Sequence, residues 1–160
     1  MALNKGVRTG LFFGTTSGVI TPSGLLVGLA AGTGSASTVI SGILIVAIAD
    51  SLSDALGIHL SEESNAHNSA THVWTATVAT FISKLLVALT FVVPFLVLPL
   101  QSAIVAALVW AVLLLSLMSW QIARMQQTRA LPVIGEHLAV ATAVIVASHF
   151  VGQWIGRVTG

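Results

Sequence analysis

Cysteine is absent from this 160-residue chain, and so is tyrosine. Without thiols there is no disulfide, no iron–sulfur cluster and no thiolate metal site. Met1, Met118 and Met125 are the only other soft ligands, which leaves little for Cu(I). Charge is scarce as well: Asp, Glu, Lys and Arg make up 7% of the residues, against about 25% in soluble domains. With a net charge of +1 and no basic run, nothing points to nucleic acid. A nucleophile–base motif, a Gly-rich phosphate loop followed by Lys, and a pair of His four apart around a Glu are all missing, so the chain is not expected to be an enzyme.

What fills the chain is apolar. Hydrophobic residues reach 56%, and the mean hydropathy is +0.99. Lipid is the economical solvent for such a composition. Five spans can be drawn, at about 10–32, 38–60, 73–98, 102–121 and 134–158, each near the ~20 residues that cross a bilayer. The basic start "MALNKGVRTG" could pass for a leader, but the apolar stretch after it is long enough to be a full span. Lipid offers no partner for unpaired backbone groups, so the spans should be helical. The expected fold class is therefore an all-α membrane protein, a single domain of five transmembrane helices over residues 1–160. Lys5, Arg8, Arg124 and Arg129 fall on one side and only Arg157 on the other, which predicts a cytoplasmic N-terminus. Trp74, Trp120 and Trp154 lie near span ends, where interfacial aromatics belong; Trp110 does not.

Against this background "AIADSLSDALGIHLSEES", residues 47–64, stands out. On a helix Asp54 lies roughly 9 Å inside the cytoplasmic edge and Asp50 roughly 15 Å, on the same face. Ionisable groups at that depth are costly and face protein or water. Two carboxylates repel unless a cation intervenes. One candidate is Lys84, roughly 16 Å deep in the third span, which is expected to form a structural ion pair with Asp50. The other is a bound metal ion, with Asp54 as the substrate or proton site. Beyond the edge come His59, Glu62, Glu63, His67 and His72, with Glu136 and His137 on the same side. Carboxylates and imidazoles together suit Fe(II), Mn(II) or Zn(II), and an acidic mouth concentrates cations. A solvated loop and a purely structural ion pair are the bland alternatives. His149, alone in the fifth span, suits a helix–helix hydrogen bond.

The first span carries Gly14 and Gly18, then Gly24, Gly28 and Gly32, spacings that let helix backbones approach closely. Thr21-Pro22 interrupts its hydrogen-bond ladder, freeing carbonyls near Gly18 that could take an ion. Packing alone would explain these residues equally well.

Together, "FGTTSGVITPSGLLVGLAAGTGSASTVISGILIVAIADSLSDALGIHLSEES", the later "FVVPFLVLPL" and the closing "AVATAVIVASHFVGQWIGR" resemble the vacuolar iron transporter family, as a short prokaryote-like member. The resemblance implies five membrane helices, a homodimer and a metal path along the dimer interface. It further implies proton-coupled export of Fe(II) or Mn(II) from the cytoplasm, and hence residence in a prokaryotic cytoplasmic (inner) membrane. Three departures stand out. The family's first-helix acid falls on Ser17, its second-helix methionine falls on Asp54, and its Glu-rich cytoplasmic insert is replaced by twelve residues. Hard oxygen ligands favour Mn(II), Fe(II) or even Mg(II). The expected metal set is Asp54, Asp50, Ser17, Thr21, Glu62, Glu63, His67 and Glu136, the metal being cargo and no cofactor being required. Expected partners are the lipid bilayer, divalent metal ions, protons and a second copy. Two other functions remain open: a non-transporting structural or partner-binding membrane dimer, and a carrier of another small cation.

Overall fold

The computed structural model describes residues 4–159, and all the regular structure in them is helical. The elements are α1 (Lys5–Thr33), α2 (Ala36–Glu63), α3 (Ala70–Thr90), α4 (Val93–Val97), α5 (Leu100–Gln126) and α6 (Ala130–Thr159). Helices α3 and α4 together form one span, Ala70–Val97, so five segments are long and apolar enough to cross a membrane. Large apolar side chains such as Ile45, Leu56, Leu86, Val109 and Phe150 lie on the outside, as contact with lipid tails requires. The chain is a multi-pass membrane protein.

Local chemistry sets the helix ends. The Asn4 side chain accepts from the Gly6 N–H at the start of α1. At its end Gly34 takes the left-handed conformation (φ 61°) and returns its N–H to the Ala30 carbonyl. Ser35 and Ser69 cap α2 and α3 through Thr38 N–H and His72 N–H. Pro99, which cannot continue the preceding helix, opens α5.

Helix α1 is the hub, packed against α2, α3, α5 and α6. It runs through Pro22 without a break, because the proline is buried among neighbouring helices that hold both halves in line. The glycines divide their work. Gly10, Gly14 and Gly18 press on α3, where a Cβ at Gly14 would come within 2.6 Å of the Thr80 carbonyl oxygen and one at Gly18 within 3.0 Å of that of Lys84. Gly24, Gly28 and Gly32 press on α6, near Val144, Ser148 and Gly152. Backbones in contact without side chains between them are the membrane form of tight helix packing. Across the α1–α3 seam the Ser83 hydroxyl, whose short bond goes to the Ala79 carbonyl (2.6 Å), lies 3.2 Å from the Gly10 carbonyl oxygen. Helix α2 turns Val39, Ile43, Ala47, Ser51 and Ala55, one residue per turn, into the bundle.

Candidate functional site: an ammonium held between two carboxylates

Asp50 lies at the midpoint of α2, and Lys84 and Ser17 lie close to the middle of their own spans. The tight α1–α3 seam at Gly18 brings the backbones of Ser17 and Lys84 together, and α2 closes the triangle. Lys84 is buried to 1% exposure, the largest fully buried side chain among the described residues. Its Nζ donates to Ser17 Oγ at 2.9 Å and to Asp54 Oδ2, and lies 2.5 Å from Asp50 Oδ2. Ser17 in turn donates its hydroxyl proton to Asp54 Oδ2 at 2.6 Å.

Two of the three donors of Nζ are spent in hydrogen bonds, to Ser17 and Asp54. An ammonium has three N–H bonds, and Nζ faces Ser17, Asp54 and Asp50. The Asp50 contact lies off the hydrogen-bonding direction, so it is a close ion pair without a directed bond, and among the described residues Oδ2 of Asp50 receives no hydrogen bond. Formally the cluster pairs two carboxylates with one ammonium, an excess of one negative charge. The open side belongs to the carboxylates: the side chains of Asp50 and Asp54 are 31% and 22% exposed, while that of Lys84 is 2% exposed.

Sequence reasoning paired Lys84 with Asp50 alone and left Asp54 for a metal; in the structure the same ammonium reaches both. The reason is register. Asp50 and Asp54 stack one turn apart, and a four-carbon side chain entering between them from α3 reaches either. Ser17 joins them, whereas the Thr21 side chain, one turn further along α1, makes no hydrogen bond among the described residues. Helix α1 frees the Gly18 carbonyl opposite Pro22, and the neighbouring Val19 carbonyl takes the Ser23 hydroxyl at 2.6 Å.

Toward the end of α2 the acidic and imidazole groups divide into two pairs. His72 Nε2 lies 2.8 Å from Glu62 Oε2, and the Asn68 amide donates to the same oxygen at 2.8 Å, clasping the α2–α3 turn. His59 Nδ1 lies 2.9 Å from Thr77 Oγ1, its ring sits edge-on to Trp74, and its Nε2 is 3.9 Å from Glu63. The Thr77 hydroxyl spends its only proton on the Val73 carbonyl, so His59 Nδ1 is the donor in that contact. His67 and Glu136 are exposed and form no side-chain hydrogen bond or ion pair among the described residues, and no three His, Asp or Glu side chains converge there. His137 instead bonds the Val133 carbonyl (2.9 Å) and Ser119 (3.0 Å). Asn68 and Thr77 were not singled out from the sequence, where a polar loop residue and a helical threonine give no such signal, and Trp74 was read there only as an interfacial aromatic. Ser51 was not singled out either; it is fully buried beside Asp50, its Oγ without a hydrogen-bond partner among the described residues.

No protein-family description, curated protein or solved structure matches this chain.

Proposed function

We propose that this protein is a carrier of a divalent metal ion, Fe(II) or Mn(II), exporting it from the cytoplasm in exchange for protons. One observation carries the reading: two carboxylates and an ammonium meet well inside helices long and apolar enough to span a membrane, with the carboxylates on the open side. A bundle that only needed to pack would gain nothing from charge placed there, since taking ions out of water costs several kcal/mol per ion. Part-exposed carboxylates in a membrane require water or another protein surface beside them. A homodimer with its seam over Asp50 and Asp54 supplies both an enclosed path and that cover. Glu62, Glu63, His67 and Glu136 would gather cations at the cytoplasmic end, as an acidic mouth does. The resemblance to vacuolar iron transporters points to the same class of cargo.

A second reading, a structural ion triad in a non-transporting dimer, is favoured by Asp54 Oδ2, which already receives both Ser17 and Lys84. Calorimetry on the detergent-solubilised protein separates the two. The carrier binds Mn(II) or Fe(II) below millimolar concentration and loses that binding in Asp54→Asn. Absence of binding by the wild-type protein at millimolar metal assigns the cluster to structure.

A further inference from the structure

Three oxygens from two helices, Asp50 Oδ2, Asp54 Oδ2 and Ser17 Oγ, converge on one point, and that point is occupied by Lys84 Nζ. Two of the separations are 2.5 Å to Asp50 and 2.9 Å to Ser17. Oxygen ligands surround hard divalent cations at about 2.0–2.6 Å. A cation placed where Nζ sits would need the oxygens to move by only a few tenths of an ångström.

We infer that Lys84 is a tethered occupant of the cargo site: its ammonium fills the position of the cation when the site is empty and must leave when the cation enters. This rests on the carrier reading and adds to it a competing ligand belonging to the chain itself. The ammonium and the cargo cannot share the site, because both need the same Oδ2 atoms and their charges repel. The lysine stem has four rotatable carbons, so the head can withdraw while α3 stays in place. The inference also specifies the cargo as a small hard cation that takes oxygen ligands. A bulky organic cation would not fit a position that Nζ fills by direct contact with all three oxygens.

An internal competitor lowers the apparent affinity in proportion to the fraction of time the site is free. If the ammonium is away about one-tenth of the time, removing it tightens binding about tenfold. Lys84→Gln is therefore expected to bind Mn(II) about tenfold more tightly than wild type by calorimetry, and Lys84→Arg, which keeps the charge, no more tightly than wild type. Lys84→Gln leaves two carboxylates without their cation and risks misfolding, so a second measurement uses the wild-type chain. Lys5 and Lys84 are its only lysines, and Lys5 is exposed. Reductive methylation read by mass spectrometry should increase several-fold at Lys84 when Mn(II) is added, with Lys5 as the unchanging reference. Lys84→Gln binding Mn(II) no more tightly than wild type, or methylation of Lys84 unaffected by saturating Mn(II), overturns the inference while wild-type binding leaves the carrier reading standing. No Mn(II) binding by the wild type overturns both.

Discussion

Ser17 Oγ accepts from Lys84 Nζ at 2.9 Å and donates to Asp54 at 2.6 Å, so one hydroxyl on α1 couples the ammonium of α3 to the carboxylate of α2. The relay exists because Gly18, the next residue, lets the two backbones touch. Hydrogen bonds involving charged groups contribute about 1.5–3 kcal/mol each, and Ser17 takes part in two. Ser17→Ala should therefore lower unfolding stability in detergent by about 1.5–3 kcal/mol for each of the two bonds lost. It should also weaken cation binding without abolishing it, since both carboxylates remain. Calorimetry together with thermal denaturation checks both; an unchanged melting temperature would show that the relay contributes nothing.

The glycines of α1 make a sharper packing test. Gly14→Ala places a methyl within 2.6 Å of the Thr80 carbonyl oxygen, a backbone atom that cannot swing aside. Overpacking of this kind costs about 1–3 kcal/mol. Gly57→Ala meets nothing within 4 Å and gains helix propensity, so it should be neutral or stabilising by up to about 1 kcal/mol. Comparing the two melting curves decides whether the α1–α3 contact is as close as described. Equal behaviour would mean that the seam is looser.

Ser51 provides an opposite prediction. Its Oγ is fully buried with no partner among the described residues. An unsatisfied buried hydroxyl costs about 1–3 kcal/mol, so Ser51→Ala should keep or raise stability. A marked loss would mean that the hydroxyl has a partner in the membrane, such as ordered water beside Asp50.

At the end of α2, Glu62, His72 and Asn68 hold the turn between α2 and α3. Glu62→Ala should speed hydrogen exchange across residues 64–69 while changing global stability by no more than about 1 kcal/mol, as expected for a contact near the surface. Exchange measured by mass spectrometry gives the answer. Unchanged protection in that turn would remove the clasp.

Much of this architecture can be read from composition and periodicity. Long apolar runs separated by short polar connections define five spans, and depth along a helix puts Asp50 and Lys84 at about the same level from the sequence alone. The glycine spacings in α1 announce close packing, though not that one set faces α3 and the other α6. What was not legible was the convergence itself. Whether Lys84 meets one aspartate or both depends on the rotation of α3 about its axis, which small hydroxyl residues spread along that helix do not reveal. The imidazoles and carboxylates near the end of α2 looked like one group in sequence. Position along the helices separates them: Glu62 meets His72 at the turn, while His59, about one turn deeper on α2, meets Thr77 and Trp74 of α3 and lies 3.9 Å from Glu63. Ser51 went unnoticed because a serine between alanines looks like any small residue in a packed stripe.

The proposed carrier requires that the carboxylates of α2 are there for a cation to visit. Its most direct measurement is Mn(II) flux into or out of proteoliposomes, with lumenal pH recorded at the same time, for the wild-type protein and for Asp54→Asn. Wild-type protein should move Mn(II) with protons passing the other way, and Asp54→Asn, correctly folded, should move neither. Mn(II) flux and proton movement at wild-type rates in Asp54→Asn would contradict it.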